Sequence, residues 1–277
     1  MAPDRSARTA YNAFLSTGRG VFLYNSFKQI LYGRQDTLAS AISGLLFGCL
    51  GTFDRTRRVR VCDVGGGDGR RSVWILRDLN DRLGLKFDLE VVDQSPEMVA
   101  LFDPAQLDEF SNGTSFCGRF EDLPLPPIYD LVLLIHSIFA FQDAHSLQRV
   151  LDLAGEEGTI VIISNSADSF LAGLKKLVDQ NFSEKRFEVN NLKDALLTRG
   201  ITFQESFFET HWTISDEHLE ESIGTIVDWL SLDRRRQLSE NQQRQIREYI
   251  QLNSSQGVLK RSFSEQEIIL TIGGTCR

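Results

Sequence analysis

The sequence predicts an α/β protein built around a doubly wound, mostly parallel sheet of seven strands. Short apolar or β-branched runs alternate with segments of helical periodicity in units of roughly 25–35 residues, the pattern of parallel strands joined by helices. The run YDLVLLIHSI (129–138) is almost continuously apolar, as expected of a strand buried on both faces. Four glycines fall within positions 65–69, between a predicted strand and a predicted helix, where such sheets hold their ligands.

The strands are predicted from their hydrophobic pattern. The first, VRVCDVG (59–65), and the second, FDLEVVDQS (87–95), are rich in β-branched residues and end in polar residues or glycine. The others are TSFCGRF (114–120), YDLVLLIHSI (129–138), GTIVIISNS (158–166), ITFQESFFETHWTI (201–214) and EQEIILTI (265–272).

The helices are predicted from their periodicity and their caps. RRSVWILRDLNDRLG (70–84) ends on Gly84, a helix C-cap signal. SPEMVALFD (95–103) starts with Ser95 as N-cap and Pro96 at the first helical position. Further helices are predicted over 143–154, 169–182 and 191–200, with two more over 216–251.

The chain is predicted to have three parts. Residues 1–50 form an N-terminal helical cap segment rich in aromatic residues, and residues 51–170 form a Rossmann-like core. Residues 171–277 complete the sheet and contribute a helical insert, which together with the N-terminal segment forms a lid over one edge of the sheet. Whether the N-terminal segment also reaches a second subunit in a homo-oligomer is left open.

Composition excludes several classes of protein. The 277 residues carry a formal net charge of −8, which disfavours a nucleic-acid partner. The four cysteines are scattered without a C-x-x-C pair, so we expect neither a metal site nor a disulfide framework. The apolar run LASAISGLLFGCL (38–50) is too short to cross a membrane. We expect a cytoplasmic protein with no membrane partner.

The glycine-rich loop DVGGGDG (63–69) matches neither common phosphate-binding pattern. A P-loop requires a Lys after its last glycine, and none is present. The dinucleotide pattern G-x-G-x-x-G fails, because from Gly65 its third glycine falls on Arg70, and from Gly67 it falls on Ser72. The acidic Asp63 before the glycines suits a cationic ligand better than a pyrophosphate.

VCDVGGGDG (61–69) resembles motif I of class I S-adenosylmethionine-dependent methyltransferases. Four more segments resemble that family in order along the chain, and they are VVDQSPEM (91–98), GRFEDLP (118–124), YDLVLLIHSIFAFQD (129–143) and EEGTIVIISNS (156–166). The resemblance implies a Rossmann-like methyltransferase fold, S-adenosyl-L-methionine as cofactor, and a small-molecule acceptor.

The resemblance also implies which residues bind the cofactor. Asp93 takes the two ribose hydroxyls, and the loop from Gly118 frames the adenine. Many family members have an Asp where this chain has Arg119, so the backbone of Arg119 and Phe120, or the Glu121 carboxylate, must serve there. The implied cofactor residues are Asp63, Gly65, Gly66, Gly67, Asp93, Gln94, Arg119, Phe120, Glu121, Ile135 and His136. Arg70 and Arg71 either help bind the carboxylate of the cofactor or face water.

The layout beyond the fifth strand resembles the histamine N-methyltransferase-like group, which implies an amine nitrogen as the methylated atom. By the same resemblance Phe139 and Phe141 contact the acceptor, and Tyr11 belongs to a lid. His211 and Trp212 are further candidates for the acceptor pocket. His136 is the candidate catalytic residue, because a neutral imidazole at a strand end can accept a proton.

Three alternatives stay open. The first is methyl transfer to carbon or oxygen of an indole- or phenol-like acceptor with His136 as base. The second is an NAD(P)-dependent oxidoreductase, which would use the same order of strand, loop and acid. The third is a module that binds the cofactor without turnover, and it would keep the glycines and Asp93 without a closable acceptor chamber.

Overall fold

A central sheet organises the protein. The computed structural model describes residues 13–14, 17–50, 53–138, 144–179, 188–232, 237–257 and 260–273. Within these residues eight strands form one sheet, and seven of them follow one another in the order β3-β2-β1-β4-β5-β8-β6. The strands are β1 (Val59–Val64), β2 (Phe87–Asp93), β3 (Ser111–Cys117), β4 (Tyr129–Ile135), β5 (Ala154–Asn165), β6 (Gln204–Ser215), β7 (Ser255–Gly257) and β8 (Lys260–Gly273).

The direction and order of the strands confirm the predicted doubly wound fold class. β1 pairs in parallel with both β2 and β4, so the strand order reverses at β1. β8 is antiparallel to β5 and to β6 and is inserted between them. The three-residue β7, which pairs with β8, adds a strand to the seven that the sequence predicts.

The helices lie close to their predicted positions. They are α1 (Gly18–Ile30), α2 (Tyr32–Leu50), α3 (Arg70–Leu83), α4 (Pro96–Val99), α5 (Ala144–Leu153), α6 (Phe170–Asp179), α7 (Val189–Thr198), α8 (Leu219–Leu230) and α9 (Glu240–Leu252), with short 3₁₀ segments at Pro104–Phe110 and Asp216–His218. Gly84 ends α3 with a left-handed backbone, and the Ser95 side chain accepts the Met98 N–H at the start of α4. No helix among the described residues is long and apolar enough to span a membrane.

Several predicted boundaries are wrong: β8 begins at Lys260 and not at residue 265, β5 begins at Ala154 and not at residue 158, and two other differences lie near the carboxyl end of β2. The segment 95–103 is helical only over its first turn, and the third strand lies three residues earlier than 114–120. Pairing with β2 aligns Ser111 with Phe87 and Cys117 with Asp93, so the chain leaves the sheet at Gly118. This placement frees the loop after β3 to border the carboxyl end of β2.

Two apolar layers cover the sheet and a third cluster covers one end of it. Residues of α2 and α3, such as Ile42 and Leu76, pack on one face, and residues of α5 and α7, such as Leu147 and Leu192, pack on the other. The third cluster joins α1, α6, α8 and α9 to the ends of β6 and β8. The N-terminal helix and the helical insert thus lie together, as the predicted lid requires.

Candidate functional site

The glycine loop after β1 adopts a backbone that side chains disfavour. Gly65, Gly67 and Gly69 have φ angles of 70°, 60° and 68°, in the left-handed region. A Cβ atom on Gly65 would lie 2.6 Å from the Cβ of Ser137, and one on Gly67 would lie 3.2 Å from the Cε of Met98. The glycines therefore allow both the turn and its close approach to the neighbouring loop.

That neighbouring loop follows β4, on the other side of the point where the strand order reverses. The Ser137 hydroxyl donates to the carbonyl oxygen of Val64 at 2.7 Å and ties the two loops together. A cavity of about 250 Å³ opens above them, where doubly wound sheets bind ligands. Its wall includes Tyr24, Phe27, Gly65, Gly67, Arg71, Asp93, Gln94, Met98, Arg119, Phe120, Glu121, Ile135, His136, Asn165, Lys175, Lys176, Glu188 and Trp229.

Asp93 lies at the carboxyl end of β2 and borders this cavity. Its carboxylate accepts the N–H of Gly67 at 2.9 Å and the N–H of Ser95 at 2.8 Å. Burial raises the pKa of Asp93 above its usual range, although both N–H groups act to lower it. The two hydrogen bonds fix the carboxylate against the glycine loop, so that one acid both shapes the loop and faces the cavity.

Asp63 and Arg71 place two opposite charges beside the loop. Asp63 is 2% exposed and accepts a hydrogen bond from the Ser72 hydroxyl at 2.5 Å through Oδ2. Its Oδ1 and the buried Nε of Arg71 have no hydrogen-bond partner among the described residues. Burial, reinforced by the Asp93 charge, raises the pKa of Asp63 to about 7. Arg71 lines the cavity and Arg70 does not, so of the two arginines Arg71 is the one placed to meet a ligand.

The raised pKa of Asp63 makes stability depend on pH. Between pH 4 and pH 7 the folded chain holds a proton on Asp63 that the unfolded chain has released, so the free energy of unfolding falls as pH rises. From the shift between 3.8 and about 7, we expect a loss of about 4 kcal/mol. Urea unfolding of the wild type and Asp63→Asn at pH 4.5 and 7.5 measures it. Equal pH slopes for the two proteins would contradict this prediction.

The loop after β3 forms another part of the cavity wall. The Gly118 N–H donates to the carbonyl oxygen of Asp93 at 2.9 Å, which fixes the loop beside β2. Phe120 is 4% exposed, and the Glu121 carboxylate accepts the Ser146 hydroxyl at 2.7 Å. Arg119 lies 3.6 Å from the Glu121 carboxylate. The loop presents a buried aromatic ring and backbone groups next to Asp93.

His136 directly follows β4 and has an unusual backbone conformation. Its φ of 54° is in the left-handed region, and its N–H donates to the carbonyl oxygen of Ile163 at 2.8 Å. Its Nε2 lies 3.7 Å from Oε2 of Glu267, a fully buried residue of β8. A non-glycine residue in this conformation is uncommon and marks positions that the surrounding structure holds in place.

Aromatic residues of α1 and α8 form one part of the cavity wall. The rings of Tyr24 and Phe27 have centroids 5.1 and 5.7 Å from that of Trp229. Lys28, one residue after Phe27, forms a buried ion pair with Asp68 of the glycine loop at 2.8 Å. The lid helix is thereby joined directly to the loop that it covers.

Most, but not all, of the site residues predicted from the sequence line the cavity. Except for Asp63 and Gly66, every cofactor residue predicted from the sequence lines the cavity. Asp63 and Gly66 lie behind the wall, since a Cβ on Gly66 would lie 2.3 Å from the Asp63 carboxylate. Tyr11, Phe139 and Phe141 lie outside the described residues.

His211 and Trp212 lie away from the cavity. The His211 side chain is 65% exposed, whereas Trp212 is buried in the third cluster and stacks on Phe263 with ring centroids 4.3 Å apart. We leave both out of the proposed acceptor site. Sequence reasoning did not predict that Lys175 on α6 and Asn165 on β5 would line the cavity. Asn165 lies in the motif segment 156–166 but was not singled out there, and Lys175 lies in no motif.

Comparison with known proteins defines the fold. No family model and no curated protein matches the chain. Among solved structures, YcgJ of Bacillus subtilis is 16% identical with a TM-score of 0.51, and 83% of this chain and 97% of that one are covered. The plantazolicin methyltransferase BpumL, solved with S-adenosylhomocysteine (SAH), is 17% identical with a TM-score of 0.52 and coverage of 97% and 96%.

A third similar structure is phosphoethanolamine N-methyltransferase 2 of Haemonchus contortus, solved with S-adenosyl-L-methionine. It is 14% identical with a TM-score of 0.51, and the match covers 95% of this chain and 60% of that one. At these identities the likeness concerns the fold. The chain has the Rossmann-like fold of class I methyltransferases, as the resemblance of its motifs implies.

Proposed function

We propose that this protein transfers a methyl group from S-adenosyl-L-methionine to a small organic acceptor. The observation that carries the proposal is the hydrogen bond between Asp93 and the Gly67 N–H, which joins the glycine loop to an acid at the end of the second strand. Aromatic residues of α1 and α8 line the same cavity. The fold likeness to BpumL and to the Haemonchus contortus enzyme, which were solved with SAH and with the cofactor itself, supports the choice of ligand.

The residues present fit this cofactor. Asp93 would take the ribose hydroxyls, and the loop at Phe120 would hold the adenine between its ring and backbone groups. Arg71, which lines the cavity and whose buried Nε has no hydrogen-bond partner among the described residues, would bind the carboxylate of the methionine part. Asp63 lies behind the wall and would act on the ammonium group through a bridging water. Because Gly65 and Gly67 carry no Cβ atom, space remains for the ligand above the loop.

The chain's own contribution to the reaction is alignment and exclusion of water. When bound, the cofactor supplies a methyl group on a sulfonium, which an acceptor atom attacks in line. Holding two reactants in line contributes as much as about 7–11 kcal/mol. Tyr24, Phe27 and Trp229 cover the chamber, and their ring faces favour a cation by about 0.5–2 kcal/mol each.

For the acceptor we propose an amine nitrogen first, on the resemblance to the histamine N-methyltransferase-like group. An indole carbon or a phenolic oxygen is the alternative, because His136 lines the cavity and can accept a proton. A role in secondary metabolism, a cytoplasmic location, the three-part division of the chain and a homo-oligomer through residues 1–50 remain predictions.

The oxidoreductase alternative is disfavoured by the sheet. Dinucleotide-binding folds of the Rossmann type have strand order 3-2-1-4-5-6. Here an antiparallel β8 separates β5 from β6.

Calorimetric titration of the full chain with SAH, NADH and NADPH tests the proposed function. We expect SAH to bind with a dissociation constant in the low micromolar range, about −8 kcal/mol, and the two dinucleotides to show no saturable binding. Binding of NADH or NADPH but not SAH would overturn the proposal in favour of the oxidoreductase. SAH binding without methyl transfer to any of a panel of amines, phenols and indoles would instead favour the inert module.

A further inference from the structure

A buried acid stands behind His136 on the last strand. Glu267 of β8 is fully buried and pairs across the sheet with Asn165, which lines the cavity. Its Oε2 lies 3.7 Å from Nε2 of His136, within the range of an ion pair. A glutamate is rarely fully buried unless it is paired, because taking its charge out of water is costly.

Glu267 is itself held in place from a third strand. The hydroxyl of Thr210 on β6, which is also fully buried, lies 3.5 Å from Oε1 of Glu267 and 3.4 Å from the carbonyl oxygen of Glu265, and its one hydrogen is donated to either of them. The backbone of His136 is held by its hydrogen bond to Ile163. The imidazole and the carboxylate therefore face each other from two fixed strands, β4 and β8, with the imidazole at the cavity wall.

We propose that Glu267 is a positioning residue for His136. The negative charge of its carboxylate, 3.7 Å from Nε2, favours the tautomer with the proton on Nε2 by electrostatic attraction, which leaves the lone pair of Nδ1 to accept a proton from the acceptor. A carboxylate at this distance also stabilises the imidazolium that results. The transfer of the proton from the acceptor rests on the proposed function. The pairing of the Glu267 and His136 side chains does not depend on that function.

The proton balance defines the acceptor class. The bond between the acceptor atom and its hydrogen breaks, and an N–H bond forms at Nδ1 of His136. The freed electron pair of the acceptor forms the bond to the methyl carbon, the C–S electron pair remains on sulfur, and solvent later takes the proton from His136. The pair therefore suits acceptors whose nucleophilic nitrogen or oxygen carries a proton at neutral pH, a class that includes ammonium groups and phenols.

Other charged groups share the cavity with His136, so the test must separate their effects from that of Glu267. They are Arg71, Asp93, Arg119, Glu121, Lys175, Lys176 and Glu188. Glu265, two residues before Glu267, is a second fully buried acid on β8. It accepts hydrogen bonds from the Asn165 amide at 2.5 Å and from the Leu171 N–H. This makes Glu265 a matched control for a buried negative charge on the same strand.

NMR titration of the histidine rings in the full chain tests the pairing. The sequence has four histidines, and His136→Gln assigns the signal of His136. In Glu267→Gln we expect the titration midpoint of His136 to fall by about 1–3 pH units, since a neighbouring opposite charge shifts a pKa by that amount. The ¹⁵N shifts should show the Nε2–H form in the wild type and less of it in the variant. The midpoints of His145, His211 and His218 should not move.

The controls separate this effect from structural damage. Glu265→Gln should move the His136 midpoint by less than half as much as Glu267→Gln does. An unchanged midpoint in folded Glu267→Gln, or an equal shift in Glu265→Gln, overturns the inference. If Glu267→Gln does not fold, Glu267→Asp replaces it, with a fall of at least about 0.5 units expected and no fall counting against the pairing. SAH binding, measured separately, decides the proposed function, so the two can fail independently.

Discussion

Replacing Asp93 by alanine should weaken SAH binding by a factor of about 10²–10⁴. Hydrogen bonds to a charged group contribute about 1.5–3 kcal/mol each, and the carboxylate would make two to the ribose hydroxyls. The same substitution removes the acceptor of the Gly67 N–H, which holds the glycine loop in its ligand-ready form. Calorimetric titration of the wild type and the variant with SAH measures the effect.

Two further variants define what the carboxylate contributes. Asp93→Asn keeps an acceptor for one backbone N–H but loses the charge, so we expect an intermediate loss of affinity. Asp122→Ala removes a side chain of the loop after β3 that is 71% exposed, does not line the cavity and forms an exposed ion pair with Arg119 at 3.6 Å, so the variant's affinity should stay close to that of the wild type. If Asp93→Ala bound SAH as tightly as Asp122→Ala does, the assignment of the ribose site would be wrong.

The sequence predicted those parts of the site that local patterns determine. The loop at Gly65 and the acid at the end of β2 carry a recognisable motif and regular spacing. The third strand was misplaced because β3 lies at the edge of the sheet and exposes most of its side chains. Its apolar pattern was therefore weak, and pairing with β2 set the true register.

Contacts between distant segments could not be predicted. The pairing of His136 with Glu267 joins β4 to a strand near the end of the chain, and no local pattern encodes it. His211 and Trp212 show the opposite kind of error, because they were predicted for the acceptor pocket but do not line the cavity. They are adjacent on β6, so their side chains point to opposite faces of the sheet, and aromatic and imidazole chemistry alone did not show that neither side chain lines the cavity.

Lys28 and Asp68 give the second large expected effect, because they join the lid helix to the glycine loop. Their side chains are 9% and 4% exposed, and Nζ of Lys28 lies 2.8 and 3.0 Å from the two carboxylate oxygens. Burial acts to raise the pKa of Asp68, but the charge and hydrogen bonds of Lys28 outweigh it and hold that pKa below its usual range. Lys28→Met would leave this buried carboxylate with only the half-exposed Arg70, whose guanidinium lies 3.8 Å away and whose N–H it accepts, and loss of the buried cation costs as much as about 3–5 kcal/mol.

We expect that cost to appear as detachment of α1 rather than as a uniform loss of stability. α1 packs on α8 and on the loop, whereas the two main apolar layers on the sheet faces do not include it. Hydrogen exchange of the α1 amides should accelerate by about 10²–10³-fold in Lys28→Met, and SAH affinity should fall with it because the lid lines the cavity.

Arg19→Ala is the matched control, since its ion pair with Asp228 joins the same helix to α8 at 4.0 Å but the Arg19 side chain is 48% exposed. Exposed pairs contribute only about 0–1 kcal/mol, so exchange in that variant should change by less than about fivefold. The double variant Lys28→Met/Asp68→Asn removes both charges and should recover most of the protection. Equal exchange rates in the two single variants would show that the buried pair does not hold the lid.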